Sequence, residues 1–304
     1  MDRVLRSLLF VPANSWRMIT TATAEGEDAI ILDLEDACPF EEKETGRIFA
    51  RDAIPMLKER GIDVFVRVNS FETGLTEEDL FYVVSEGLDG IMLPKTESKE
   101  DIIRLDEHLR KEEKSKGLPP NIISILPLLE TPKGISNVYE IISSSSRVLG
   151  LSFGAGDYSR ELGLGMGVTN LTQEEFFLMA AHPRACIALA ARAAGLHAID
   201  SPFFGLVIDI EGIKKETRKV KLMGFNGKLL VHPRHVESVN QIFTPTKEEV
   251  EFAKKVIEVY EESRKKGLGA TTIGGRMIDY GSYRRAMNLI SIAKKISEKE
   301  AKRD

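Results

Sequence analysis

Acidic side chains follow three of the most apolar stretches of this chain. The stretches and their acids are "AIILDLEDA" (29–37) with Glu35 and Asp36, "ISILPLLE" (123–130) with Glu130, and "VLGLSFGAGD" (148–157) with Asp157. Short apolar runs of this kind are typical of buried strands. Carboxylates that converge raise one another's pKa unless a cation neutralises them. The pattern therefore predicts a bound cation.

The expected ion is Mg²⁺ or Mn²⁺, because the available ligands are oxygens and the chain has no Cys/His cluster. Glu130 and Asp157 follow consecutive apolar runs and form the best ligand pair. Arg67, in "DVFVRVN", would add a positive charge, either for a substrate or only for local charge balance. Taken alone, Asp36 or Asp157 would cap a helix more often than it would bind a metal ion.

Apolar runs bounded by turn residues alternate with helical patterns such as 41–59, which predicts a parallel sheet covered on both faces. The eight runs are 6–12, 29–36, 63–69, 90–95, 123–130, 148–157, 197–203 and 228–233. Eight strand–helix units fit an α/β fold of the (β/α)₈ TIM-barrel type, over residues 1–245, better than an open doubly wound sheet.

In such a barrel the chemistry belongs to the C-terminal ends of the strands. The polar residues predicted there are Asn14, Glu35, Asp36, Arg67, Asn69, Lys95, Glu130, Asp157, Asp200 and His232. Two further residues of this set have open alternatives: Lys95 is a Schiff-base lysine or a structural residue, and His232 is a packing residue or a substrate contact.

Residues 246–304 are not needed to close a barrel and form a separate C-terminal extension. Helical patterns at 246–267 and 283–298 flank the glycine-rich stretch "GLGATTIGGRMIDYGS" (267–282). We expect this extension to serve assembly or to cover the site.

Composition and charge limit the classes of partner and the cell compartment that we expect for this protein. The net charge of −5 gives no support for nucleic acid, and no apolar run is long enough to cross a membrane. The chain also lacks a signal-peptide pattern, and its two cysteines suit a reducing compartment. A cytoplasmic protein is expected.

The motifs resemble those of the HpcH/HpaI aldolases, in the citrate lyase β-subunit-like branch that includes malyl-CoA and citramalyl-CoA lyases. The resemblance runs from about residue 6 to residue 287. The matching pieces are "RSLLFVPAN", "ILDLEDA", "VRVNS", "MLPKTES", "LPLLETPKGI", "FGAGDYSRELG", "AARAAGLHAIDSPF", "GFNGKLLVHP" and "GGRMID".

The resemblance implies a role for particular residues. Glu130 and Asp157 would hold Mg²⁺, Arg67 would contact the oxo acid as a catalytic residue, and Glu35 and Asp36 would line the site around them. Asp279, in "MID", would be the acid/base, delivered by the extension of a neighbouring subunit acting as a lid in a homotrimer or hexamer. The residues expected at CoA are Phe10, Arg17, Lys43, Val231 and His232.

The implied activity is reversible cleavage of a 3-hydroxy-3-carboxyacyl-CoA, such as malyl-, citramalyl- or citryl-CoA, into acetyl-CoA and a 2-oxo acid. Two alternatives stay open. One is a citrate lyase β subunit that acts on acyl-carrier-protein thioesters within a complex, and the other is a non-catalytic interaction subunit.

Overall fold

The computed structural model describes residues 3–164 and 171–302. Eight parallel strands pair in sequence order and close into a barrel, because β1 pairs with β2 on one side and with β8 on the other. The strands are β1 (Ser7–Pro12), β2 (Ala29–Asp33), β3 (Asp63–Arg67), β4 (Gly90–Leu93), β5 (Ser124–Leu129), β6 (Gly150–Phe153), β7 (His197–Asp200) and β8 (Gly227–Leu230). The predicted TIM barrel and its eight strands are confirmed.

Helices follow the strands along the chain. They are α1 (Trp16–Thr21), α2 (Lys43–Glu59), α3 (Thr76–Val83), α4 (Lys99–Ser115), α5 (Pro132–Ser136), α6 (Val138–Ile142), α7 (Ala155–Glu161), α8 (Gln173–Met179), α9 (Ala181–Ala194), α10 (Ile210–Met223) and α11 (Val236–Phe243). Local signals set several of their ends. For example, Ser98 and Asp101 form a reciprocal capping box at the start of α4, and Gly195 ends α9 with a φ of 71°.

The barrel interior is filled by apolar side chains from alternate positions of the strands. This cluster includes Leu8, Ile31, Phe65, Leu128 and Ile199, all of them buried. Successive side chains of a strand point to opposite faces, so residues two positions further along the chain share the interior face. This alternation decides which polar residues at the strand ends point into the barrel.

The chain forms two compact units. Among the described residues, the first covers 5–242 and the second covers 3–4 and 243–302. The elements of the second unit are α12 (Lys247–Lys265), β9 (Thr271–Ile273), β10 (Arg276–Ile278) and α13 (Tyr280–Glu300). A small core around Val256, Tyr260 and Ile278 holds this unit together. The two helices were predicted, with α13 starting three residues earlier than expected.

The glycine-rich stretch was not predicted to contain strands, yet β9 and β10 pair as an antiparallel hairpin. Gly274 and Gly275 connect them with φ values of 56° and 80°, the left-handed pair that a tight hairpin turn requires. No helix within the described ranges combines the length and the apolar character needed to cross a membrane.

Candidate active site at the C-terminal end of the barrel

Three polar residues continue the interior face of their strands. Asp33 lies two positions after Ile31, and Arg67 lies two positions after Phe65, so both side chains point into the barrel mouth. Glu130 follows Leu128 in the same way at the end of β5. The sheet itself therefore aims an arginine and two carboxylates at one place.

Arg67 is the cationic centre of this mouth. Its Nε and Nη2 donate to the two oxygens of Asp33 at 2.7 Å and 2.5 Å, and its Nη1 lies 3.0 Å from Glu35 Oε2. The guanidinium also stands 4.8 Å from the centre of the Phe10 ring. Burial opposes the charge of Arg67, but the hydrogen bonds and charge of Asp33 outweigh it and raise the pKa of the guanidinium. Arg67 is thus permanently charged and held in one orientation.

Glu130 is a buried carboxyl group in an acidic environment. Burial raises its pKa well above the usual range, and the charges of Glu35 and Asp157 raise it further. One of its oxygens accepts a hydrogen bond from the backbone N–H of Lys95 at 2.8 Å. A Cβ atom on Gly154 would lie 2.5 Å from Glu130 Oε2, so only glycine at 154 leaves space for this carboxylate.

Lys95 links two of the buried acids. Its backbone takes a left-handed φ of 49°, which is costly for a residue with a side chain, and this conformation accompanies the N–H bond to Glu130. Its Nζ lies 3.3 Å from Oε1 of Glu35. Burial raises the pKa of Glu35, although the charge of Arg67 acts in the opposite direction. Lys95 therefore belongs to the site, where its amide and ammonium groups hold different carboxylates.

Asp157 lies in the first turn of α7 rather than at the end of β6, where it was predicted, and it forms an ion pair with Arg160. Within residues 3–164 and 171–302, no group of three or more His, Cys, Asp or Glu side chains is arranged to hold a metal ion. Mg²⁺ commonly takes only one or two carboxylates and fills its remaining positions with water and substrate. Buried Glu130, with Asp157 near enough to raise its pKa, fits that donor set.

Asp200 does not join the cluster, and its predicted place at the rim is wrong. Its neighbour Ile199 occupies the barrel interior, so the Asp200 side chain points outward to the helices. There it binds Arg184 Nε of α9 at 2.7 Å and Lys228 Nζ of β8 at 2.5 Å, all fully buried. Asp33, which belongs to the same acidic stretch "LDLED" as Glu35 and Asp36, lies in the mouth instead.

The residues predicted at CoA have different surroundings. Phe10 and Val231 line the mouth, Arg17 is exposed on α1, and Nδ1 of His232 accepts a hydrogen bond from the N–H of Arg234 at 3.1 Å. Lys43 instead braces the loop after β2, because its Nζ donates to the carbonyls of Leu34 and Glu35 and to Oδ1 of Asn69. That set of three partners uses every N–H of the ammonium group.

Asp279 belongs to the second unit of the chain. It caps the N-terminus of α13, where it accepts hydrogen bonds from the backbone N–H and the hydroxyl of Ser282 at 2.8 Å and 2.9 Å. These bonds lower the pKa of the fully exposed carboxyl group.

A cavity of about 470 Å³ opens at the mouth of the barrel. Its polar lining is Asp33, Asp36, Arg67, Glu130 and Asp157, and its apolar lining includes Phe10, Leu128, Phe203, Phe204, Leu229 and Val231. Phe203 and Phe204 were not proposed as site residues, although their place directly after the seventh strand, in "DSPFFG", was a usable signal. The size suits a small acid together with part of a larger ligand.

Comparison with known proteins identifies relatives along nearly the whole chain. The citrate lyase subunit β of Haemophilus influenzae is 35% identical over 294 residues, which cover 96% of this chain and 98% of the relative. The L-malyl-CoA/β-methylmalyl-CoA lyase of Cereibacter sphaeroides is 28% identical, with 96% and 95% covered. The predicted assignment to a lyase family is confirmed by these names.

Solved structures agree with the barrel. The protein CitE from Mycobacterium tuberculosis, crystallised with magnesium, acetoacetate and coenzyme A, superposes with a TM-score of 0.75 at 26% identity, covering 97% of this chain and all of the other. The family model for HpcH/HpaI aldolase/citrate lyase matches residues 6–233, which span the barrel. The chain therefore belongs to the HpcH/HpaI aldolase/citrate lyase family.

Proposed function

We propose that the protein is a Mg²⁺-dependent carbon–carbon lyase. Its substrate would be a 3-hydroxy-3-carboxyacyl-CoA such as malyl-, citramalyl- or citryl-CoA, cleaved to, or formed from, acetyl-CoA and a 2-oxo acid. The observation that carries the proposal is Glu130, a carboxyl group whose pKa is raised by burial and raised further by the charges of Glu35 and Asp157. A divalent cation, Mg²⁺ or Mn²⁺, would neutralise the repulsion between these carboxylates, with Glu130 and Asp157 as its protein ligands.

When bound, the ion supplies Lewis-acid polarisation of the substrate oxygen that becomes the carbonyl of the oxo acid. Arg67 adds a fixed positive charge beside the same oxygens, and Asp33 holds its guanidinium in place. Glu35 and Asp36 border this guanidinium and orient the polar end of the substrate. Because the Arg67 and Asp33 side chains are largely buried, the charge of the guanidinium is screened less than it would be in water.

Cleavage leaves the electron pair of the broken C–C bond on the thioester as an enolate, which must take up a proton. We assign that proton transfer to Asp279 of a neighbouring copy, with residues 246–304 as the lid on the barrel of residues 1–245 in a homotrimer or hexamer. The bonds from Ser282 lower the pKa of Asp279, so the group is a carboxylate at neutral pH. In the cleavage direction this carboxylate would take up the proton that the substrate hydroxyl group releases and pass it to the enolate. In the condensation direction it would move a proton from the acyl methyl group to the new hydroxyl oxygen.

The CoA moiety would lie along Phe10, Val231 and His232, with Arg17 near its phosphates. Two of these side chains, Phe10 and Val231, line the cavity. Lys43 would act on CoA through the loop that it braces, since its N–H groups already have acceptors.

A second candidate is a citrate lyase β subunit that acts on acyl-carrier-protein thioesters. The citrate lyase β subunits that match at 33–35% identity favour it. The non-catalytic alternative is less favoured, because Glu130, Asp157, Arg67 and Asp279 are all present.

The test is a product assay with purified protein and Mg²⁺. Malyl-, citramalyl- and citryl-CoA are each supplied, in parallel with the same acyl groups on an acyl carrier protein, and released oxo acid is measured. We expect cleavage of at least one CoA thioester, abolished by a chelator. Turnover of carrier-protein thioesters alone would support the second candidate, and activity that survives the chelator would overturn the metal-dependent proposal.

A further inference from the structure

We propose that Phe203 and Phe204 restrict the oxo acid of this site to one with an uncharged substituent, namely hydrogen or a short alkyl group. The proposal rests on the proposed function and specifies its substrate class. It excludes a dicarboxylic oxo acid such as oxaloacetate as the preferred product.

The Phe203 ring is fixed by its surroundings. It is 5% exposed and packs edge-to-face on the His235 ring, with ring centres 5.9 Å apart. Added Cβ atoms on Gly205 and Gly212 would lie 2.3 Å and 2.8 Å from this ring. The loop after β7 therefore accommodates the ring only because both positions are glycine. A ring packed this tightly cannot easily move aside for a larger or charged substituent of the substrate.

The Phe204 ring lies beside the proposed metal ligand. It packs on Phe176 with ring centres 4.8 Å apart, and it covers Gly156, whose added Cβ would lie 3.1 Å from the ring. Gly156 directly precedes Asp157 in the first turn of α7. An oxo acid bound near Asp157 would consequently turn one side toward the Phe204 ring.

The charges of the cavity oppose a second substrate carboxylate. Among the described residues that line it, Arg67 is the one cation, and its guanidinium already binds Asp33 and Glu35. Asp33, Asp36, Glu130 and Asp157 supply negative charge to the same lining. A further carboxylate placed against Phe203 and Phe204 would lose part of its water to two apolar rings, and the rings offer it no hydrogen-bond donor in return.

The experiment compares two oxo acids that differ only at the terminal group, 2-oxobutyrate (methyl) and freshly prepared oxaloacetate (carboxylate). Binding to the full-length protein with saturating Mg²⁺ is measured by calorimetry. We expect 2-oxobutyrate to bind at least about 10-fold more tightly, the scale of leaving one polar group unpaired.

The matched variants are Phe204→Lys, which supplies a cation, and Phe204→Leu, which keeps the wall apolar. Phe204→Lys should shift the preference at least about 10-fold toward oxaloacetate relative to Phe204→Leu, with Mg²⁺ affinity measured separately in both. Equal or tighter binding of oxaloacetate by the unaltered protein, or the same preference in both variants, would overturn this inference alone. Failure of both acids to bind with Mg²⁺ would overturn the proposed function as well.

Discussion

Arg67 and Asp33 are joined by two parallel hydrogen bonds, from Nε to Oδ1 at 2.7 Å and from Nη2 to Oδ2 at 2.5 Å. Both side chains are largely buried. This pair fixes the cation of the site before any substrate arrives, which is the condition for effective electrostatic stabilisation.

Replacing Asp33 with Ala should lower the free energy of unfolding by about 3–5 kcal/mol, because a buried guanidinium would lose its main partner. Urea denaturation measures this loss. The control is Asp52→Ala, since Asp52 pairs with Arg51 while both side chains are about half exposed, and its loss should stay below about 1 kcal/mol. Similar losses in the two variants would contradict the importance of the buried pair.

The pH dependence of stability should reveal the raised pKa values of Glu130 and Glu35 in metal-free protein. Above the ordinary carboxyl range, the unfolded chain has released protons that the folded protein keeps, so stability in a chelator should fall as pH rises toward the raised values. Glu130→Gln cannot ionise and should flatten this slope, leaving the part due to Glu35. This pH dependence is measured from denaturation midpoints across the pH range. The control is Glu140→Gln, which changes an exposed carboxyl group. A slope unchanged by Glu130→Gln would refute the assignment.

Asp157→Ala should abolish the calorimetric heat of Mg²⁺ binding and all turnover while the circular dichroism spectrum stays that of the unaltered protein. The reason is that a single carboxylate, Glu130, would remain as protein ligand. Glu161→Ala changes an exposed acid of the same helix and should bind Mg²⁺ normally. Undiminished Mg²⁺ binding by Asp157→Ala would remove this residue from the metal site.

Asp279→Asn should lower kcat by about 10²–10⁴-fold, the usual scale for loss of a general acid or base. Asn caps helices about as well as Asp, so the stability of α13 and the KM should change little. Ser282→Ala removes the hydroxyl that helps to lower the pKa of Asp279, and the corresponding limb of the pH–rate profile should move to higher pH. Normal turnover in Asp279→Asn would exclude it as the acid/base.

Gly154→Ala should weaken Mg²⁺ binding, although Gly154 is not itself a proposed metal ligand. The added methyl group would lie 2.6 Å from Glu130 Cβ and would push this side chain out of its place. Overpacking of this kind also costs about 1–3 kcal/mol of stability. Gly269→Ala, where an added Cβ meets nothing within 4 Å, is the matched control and should leave Mg²⁺ affinity unchanged. Equal Mg²⁺ affinity in the two variants would contradict the steric argument.

Hydrophobic patterning was sufficient for most of the fold. All eight strands were predicted because strands covered on both faces are apolar almost throughout, as in Ala29–Asp33. The hairpin of β9 and β10 was missed because its strands have only three residues each, too few for a periodic signal, and the glycine pair alone suggested a loop.

For the candidate site, too, the sequence predicted some features and missed others. Residue type and order along the chain placed Glu35, Asp36, Glu130 and Arg67 at the barrel mouth. Asp200 fits the same description, but the alternation of strand side chains turns it toward Arg184 and Lys228 outside the barrel.

The order of apolar and polar residues by itself determined a closed parallel barrel with acids after its strands. Only the tertiary structure decided that Asp33 binds Arg67, that Lys95 contacts two acids and that Phe203 and Phe204 close one side of the cavity. Whether a segment is buried depends on how many apolar residues it has and on their spacing, and both can be read from a short stretch of sequence. Partner choice among polar groups depends on distances of a few ångströms between residues far apart in sequence, and these exist only once the barrel has closed.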